Sequence, residues 1–405
     1  MTARYDVVVV GAGQAGLSIS HELTHAGVDH VVLERTRIAA TWGSRWDSFC
    51  LVTPNWMTNL PGQPYAGTDP DGFMRRDDLV AYFGAYAASS KAPIREGVEV
   101  NELVMRDQGG FVLRTSAGEF EAREVVIASG GYQKPFRPAA AAELPASVHI
   151  VDAEQYANPG ALPEGRVLVM GSGQTGCQLA EELFESGREV FLACGRAPWV
   201  NRRIEGRDVM ELLVKETPFM ETTLAMLPSP AARLGANPQA SGHGGGHDLN
   251  YRTLQAMGVT LLGRFTGADG QTAHFADDLD ASVAFGDARH ADLCGLIARG
   301  FAARGATPPQ MPPPPPFHAD PPTSLDLTDL GAVICTSGFR PDYSWVKAPG
   351  AFDDMGFPVQ TDGSSTIVPG LHFMGVHFQR KRKSAVLFGV AEDAEVLAER
   401  MLPRT

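Results

Sequence analysis

The sequence predicts an α/β protein with two Rossmann-type dinucleotide-binding domains, the second inserted into a discontinuous first. Three observations carry this expectation. A glycine-rich turn occurs twice, as Gly11-Ala12-Gly13-Gln14-Ala15-Gly16 and Gly171-Ser172-Gly173-Gln174-Thr175-Gly176. Each copy follows a short apolar strand, Asp6–Val10 or Val167–Met170, and opens a helix-like stretch. Two further apolar strands ending in small residues and glycine, Val125–Gly131 and Ala332–Gly338, return the chain, one for each turn. The expected division is 1–157 for the first part of the first domain, 158–330 for the inserted domain and 331–405 for the closing part.

A glycine turn between strand and helix lets backbone approach a pyrophosphate, and the helix N-terminus offers free N–H groups and a positive dipole. One copy is weak evidence, but two in strand-turn-helix context imply two dinucleotides on one chain. The first copy leads through Leu17–Gly27 to the strand Val31–Leu33 and then Glu34 and Arg35, near the ~20-residue spacing of a ribose-binding acid. Glu34 suits a free 2′-hydroxyl, so this site reads as FAD or NAD. In the second copy the equivalent position is Cys194, with Arg196 beyond it. A neutral residue plus a guanidinium accommodates a 2′-phosphate that an acid would repel, so this site reads as NADP(H). The alternative for Arg196 is a solvated loop charge.

Between these landmarks the elements follow from pattern. Thr41–Phe49, Thr53–Trp56 and Leu60–Gly62 are broken by proline and glycine and lack a strand or helix period. They form a structured loop, holding three of the five tryptophans, and a natural lid over a flavin ring. Arg75–Ala88 places Leu79, Tyr82, Phe83 and Tyr86 at helical spacing. A β-meander is expected through Gly97–Val104, Phe111–Thr115 and Glu119–Ala122. After the second glycine turn come strands Val190–Ala193, Val259–Leu262 and Ala273–Phe275 and a helix Ala288–Ala303. Pro308–Pro316 reads as a stiff polyproline spacer connecting domains. A strand Leu371–Gly375 and a helix Ser384–Met401 close the chain. His243 and His247 flank three glycines, which argues against a helix that would put both on one metal-binding face, so no metal is expected.

With Lys+Arg 34 against Asp+Glu 47, the net charge of −13 repels nucleic acid and anionic membrane. The local exception, Arg380-Lys381-Arg382-Lys383, reads either as a solvated turn or as a charge source near cofactor phosphates. No long apolar segment suggests a membrane span, and the chain enters its first strand without room for a signal peptide. Five scattered cysteines without a C-x-x-C fit a reducing cytoplasm and remove the redox dithiol that disulfide reduction requires. The composition is compatible with a homo-oligomer.

The ordered motifs resemble the class B flavoprotein monooxygenases, most closely bacterial flavoproteins of the CzcO type and plant auxin-forming flavin monooxygenases. The matching pieces are Gly11–Gly16 with Glu34, the block from Arg45-Trp46-Asp47-Ser48-Phe49 to Leu60-Pro61-Gly62, Gly171–Leu183, Thr336–Trp345 and Phe378–Ser384. The resemblance implies that NADPH reduces FAD, that O₂ adds at flavin C4a as a (hydro)peroxide, and that one oxygen reaches a small organic substrate. That transfer would be N- or S-oxygenation or insertion beside a carbonyl. Around FAD the expected residues are Gly11, Gly13, Gln14, Ala15, Gly16, Glu34, Arg35, Trp42, Arg45, Val100, Ala128, Ser129, Gly130, Gly375 and Gln379, with Thr53 and Asn55 facing the ring. Around NADPH they are Gly171, Ser172, Gly173, Gln174, Thr175, Gly176, Arg196, Ser337 and Gly338. Arg340 holds a cofactor phosphate, polarises the peroxide or forms a structural salt bridge. One departure stands out: related monooxygenases carry a linker histidine four positions before an aromatic residue, and with Tyr156 as that aromatic the position is Asp152. Plain NADPH-dependent oxidase or reductase activity and a non-enzymatic flavin-binding regulator are the competing readings.

Overall fold

The computed structural model describes residues 3–401 and contains two principal sheets. In the first, Ala3–Val10 pairs in parallel with His30–Leu33 on one side and Gly118–Ile127 on the other. Leu371–Phe373 joins Val125–Ile127 in parallel, which brings the end of the chain back beside its beginning. The run Val7–Val10 is buried throughout, as a strand covered on both faces requires. Helices Gln14–His25, Arg76–Ser89 and Val390–Met401 share one apolar core against this sheet through Leu17, Leu23, Phe83 and Leu397.

The second sheet has five strands, in the order Ile150–Asp152, Leu330–Cys335, Arg166–Met170, Val190–Ala193, Thr260–Leu262, all parallel. Helix Gln174–Glu185 packs on it through Cys177, Leu179, Ala180 and Leu183. The expected division into 1–157, 158–330 and 331–405 needs correction at both boundaries. Ile150–Asp152 and the strand reaching Cys335 both hydrogen-bond in the second sheet, because the returning strand must pair with the strand that precedes the second glycine turn.

Other elements depart from expectation for local reasons. The third meander strand and the return strand are one ten-residue strand, Gly118–Ile127, which pairs with the meander at one end and the parallel sheet at the other. The helix expected at Ala288–Ala303 begins at Leu279, and the terminal helix begins at Val390 after a short 3₁₀ turn, Arg382–Ala385. The aromatic loop contains a helical turn, Ala40–Gly43, and a 3₁₀ turn, Asn55–Met57. The proline run does not connect domains. It lies between helix Leu279–Ala303 and strand Ser324–Asp326, and is strapped to the second unit by Arg252 Nε donating to Pro315 O at 2.8 Å.

Candidate functional site

The first glycine turn is shaped by backbone proximity. Gly11 has φ +107°, and a Cβ there would lie 2.6 Å from the Ala128 carbonyl oxygen. A Cβ on Gly16 would lie 1.8 Å from Gly11 O, so this glycine sets how closely the helix packs on the strand. Gly13 differs: a Cβ there would meet nothing within 4 Å. This open space lies at the start of a helix with no side-chain cap and no acid in its first turn. Free N–H groups, an unopposed dipole and room for a phosphate coincide there.

Glu34 Oε2 accepts from Ala12 N and Oε1 from Thr36 N, both at 2.9 Å, which fixes the carboxylate at the strand end with acceptor capacity remaining. Arg35 is exposed. Val98, rather than Val100, sits beside this acid, its N–H donating to Glu34 O at 2.9 Å; Val100 instead begins the strand paired with Thr115. Ala128 is buried and donates its N–H to Val10 O, leading to Ser129 and Gly130 (φ +85°) at the sheet's C-terminal edge. From the closing segment, a Cβ on Gly375 would come 2.8 Å from the Ala15 Cβ, and Gln379 is buried behind it with its N–H on Val376 O.

The aromatic loop is tied to this cradle. Trp42 Nε1 donates to Gln14 Oε1 at 3.0 Å. The Arg45 guanidinium stands 4.7 Å from the Tyr132 ring centroid, and its buried Nε has no protein partner among the described residues. Trp46 is core, as its surroundings in the second unit show, edge-on to Phe49 at 5.0 Å. Thr53 is half-buried, but Asn55 is committed elsewhere: its amide donates to Asp69 O and its oxygen accepts from Met74 N, so it staples the loop with both polar atoms. Sequence reasoning missed what holds this loop from the other unit. Arg202, 1% exposed, donates through Nη1 to Val52 O at 2.7 Å, pairs with Asp208 at 2.6 Å and lies over Phe73.

At the second turn, a Cβ on Gly171 would lie 2.9 Å from Thr336 O and one on Gly176 1.9 Å from Gly171 O, whereas Gly173 would meet only Ala236 Cβ at 3.9 Å. The backbone shape repeats; the chemistry at the strand end does not. Cys194 is fully buried, and Ser172 Oγ accepts from Gly195 N at 2.8 Å while bonding Tyr251 Oη at 2.5 Å. Tyr251 in turn donates to Gly195 O. A neutral hydroxyl pair thus holds the loop that a carboxylate holds in the first unit. Ser172 is turned inward, while Thr175 is half-buried and Gln174 donates to Ala240 O at 3.2 Å. Arg196 is exposed, with no hydrogen bond or ion pair among the described residues. Ser337 donates to Met170 O at 3.3 Å, and Gly338 has φ +86°.

Several charged groups are placed differently from the sequence expectation. Arg340 forms no salt bridge among the described residues; its guanidinium lies 4.0 Å from the Phe136 ring centroid. The segment Arg380–Lys383 is neither a solvated turn nor a free charge source. Lys381 and Lys383 both reach Glu221 and Glu392, Arg380 reaches Glu392 and Asp393, and Arg382 lies over Phe219 and Phe378. His247 and His243 pair with Glu181 and Glu185 of helix Gln174–Glu185, and the Glu181 bond raises the His247 pKa. All five cysteines are free thiols, and burial pushes those of Cys50 and Cys335 up to about 11.

Comparison with known proteins agrees with this geometry. The model of the pyridine nucleotide-disulphide oxidoreductase family matches residues 8–212. An uncharacterized CzcO-like oxidoreductase of Geobacillus kaustophilus is 30% identical over 98% of each chain. Indole-3-pyruvate monooxygenase YUCCA1 of Oryza sativa is 31% identical over 44% of this chain and 45% of its own. A flavin-containing monooxygenase from Stenotrophomonas maltophilia shares the fold, with a TM-score of 0.69 at 18% identity over 99% of this chain and 98% of its own. The chain belongs to the pyridine nucleotide-disulphide oxidoreductase family, as a class B flavoprotein monooxygenase-like enzyme that uses FAD and NADPH.

Proposed function

We propose that this enzyme is a monooxygenase that places one oxygen atom of O₂ on a soft nucleophile, or beside a carbonyl, in a small organic substrate, with FAD on the first glycine turn and NADPH on the second. The observation that carries the assignment is the asymmetry between two near-identical turns. Glu34 offers a fixed carboxylate at one, whereas Ser172, Tyr251 and Cys194 leave the other neutral, with the unpaired Arg196 guanidinium beside it. A 2′-phosphate is favoured only at the second.

When bound, FAD supplies the redox and oxygen chemistry, so few protein acids or bases are needed. What the chain contributes is positioning and exclusion of water. The open face at Gly13 and the uncapped N–H groups of Gln14–Gly16 receive a pyrophosphate. Trp42, through Gln14, and Arg202, through Val52, hold the loop from both sides. The buried, protonated thiols argue against dithiol chemistry despite the family's name. A cytoplasmic location fits five unpaired cysteines.

The oxidase or reductase reading draws support from Asp152. Its carboxylate is engaged by Arg137 through bonds of 2.8 and 2.9 Å, so the position of the usual linker histidine is here half of an ion pair. Anaerobic addition of NADPH should bleach the flavin absorbance. After admission of air, a screen of amines, sulfides and ketones should yield oxygenated product in fixed ratio to NADPH. Hydrogen peroxide accounting for all NADPH across every class would replace this reading with the oxidase or reductase one.

A further inference from the structure

Arg233 is a deeply buried charge that nothing in the two dinucleotide sites uses. It is 4% exposed, and no carboxylate lies within ion-pair distance of it among the described residues. Its Nη2 donates to His377 O at 2.6 Å, its guanidinium carbon lies 3.7 Å from the Phe357 ring centroid, and its buried Nε has no partner among the described residues. The carboxylate that acts on it electrostatically, Asp353, spends Oδ1 on the N–H groups of Met355 and Phe357.

Its place in the fold is between the two nucleotide sites. Arg233 belongs to a 3₁₀ turn, Pro230–Leu234, and Ala236 just beyond it is the residue closest to the open face of Gly173. The guanidinium crosses to the first unit, where His377 lies on the segment that Gly375 brings against Ala15. Two polar side chains share the neighbourhood. His377, itself next to Arg382, and Tyr343 keep accessible surface although burial drives the imidazole down to about 4 and the phenol up to about 12. Both side chains thus retain some surface beside a guanidinium that has almost none.

We propose that Arg233 anchors a carboxylate subsite at this seam, so that the substrate is an organic acid bound between the two units with its acid group on this guanidinium. The proposal rests on the monooxygenase reading above and adds the substrate class. An arginine stays protonated, and a desolvated guanidinium without a counter-ion is strongly disfavoured unless a ligand supplies one. A carboxylate is the matching partner: the planar fork offers parallel donors, and charge-assisted bonds are the strong ones. His377, kept neutral between two arginines, and the protonated Tyr343 add no negative charge to repel it. The pyrophosphates of the dinucleotides have their own cradles at Gly13 and Gly173.

The test is calorimetric binding to the FAD-loaded enzyme with matched probes, phenylacetate against phenylacetamide and hexanoate against hexanamide. In the wild type at least one acid should bind ten-fold or more tighter than its amide. Arg233→Met should abolish that preference while leaving amide affinity and NADP⁺ affinity within about three-fold, and Arg233→Lys should fall between. Equal binding of every acid and amide by the wild type overturns the proposal, and that comparison stands even where Arg233→Met does not fold. A preference that survives in Arg233→Met overturns it too, as does loss of NADP⁺ affinity in place of acid affinity, which would give the guanidinium to a cofactor phosphate. Failure of the monooxygenase reading shows separately, as peroxide without product, and leaves acid binding intact.

Discussion

Two glycines of the first turn separate a folding role from a binding role. A Cβ on Gly16 would stand 1.8 Å from Gly11 O, so Gly16→Ala forces strand and helix apart and should cost about 1–3 kcal/mol or more in thermal or denaturant unfolding. Gly13→Ala meets nothing within 4 Å at a negative φ, so the protein without cofactor should unfold as the wild type does. The added methyl instead occupies the open face, and the purified variant should carry much less FAD. Full flavin occupancy in a folded Gly13→Ala protein would remove the pyrophosphate from that turn. At the second turn Arg196 has no partner to lose among the described residues. Arg196→Ala should therefore weaken NADPH binding by about 1.5–3 kcal/mol, the range for a charged hydrogen bond, with NADH nearly unchanged and no loss of stability. Equal losses for both nucleotides would make its role independent of the 2′-phosphate.

At the scale of elements, local chemistry was legible and long-range chemistry was not. Val7–Val10 and Val167–Met170 are apolar runs ended by glycine, and Glu34 follows the first unit at a fixed spacing, so strands, turns and the acid could be read directly. The partners of the second turn could not. Tyr251 reaches Ser172 across 79 residues, and nothing near Tyr251 in sequence announces it. The basic run Arg380–Lys383 was equally opaque, because its acids come from a distant 3₁₀ turn at Glu221 and from the terminal helix at Glu392. Burial alone would raise the Glu392 pKa, but hydrogen bonds from Lys381 and Lys383 outweigh it and hold the carboxyl at about 2. A depressed folded pKa stabilises the native state above the ordinary carboxylate range, and that contribution fades as pH falls from about 4.5 towards 2. Glu392→Gln should thus lower stability at pH 7 by about 1 kcal/mol, discounted for its partial exposure, and the difference from wild type should shrink towards pH 2. A constant difference across that range would deny the carboxylate its charge-dependent role.

For the whole molecule the question is how two units built on separate sheets keep one reactive space in register. Residues on the seam have mixed loyalties: Trp46 belongs to the first unit by sequence and to the second unit's core by packing. Arg202 does the reverse, leaving the second unit to donate to Val52 O, 150 residues away, immediately before Thr53 and the Asn55 staple. Among the described residues only its own Asp208 neutralises it, and both side chains are nearly enclosed, at 1% and 14% exposure. Replacing Arg202 by Met keeps the apolar stem over Phe73 but leaves Asp208 without its counter-ion and the Val52 carbonyl without its donor. Breaking a buried pair from one side costs about 3–5 kcal/mol, to be read as a drop in unfolding free energy. If the seam also shields the flavin environment, destabilisation will not be the whole effect. FAD should remain bound, since Gly13 and Glu34 are untouched, while the share of NADPH ending as hydrogen peroxide rises relative to product. A variant that loses stability yet keeps the wild-type ratio of product to NADPH would show that Arg202 only joins the units and that the loop keeps its position without it.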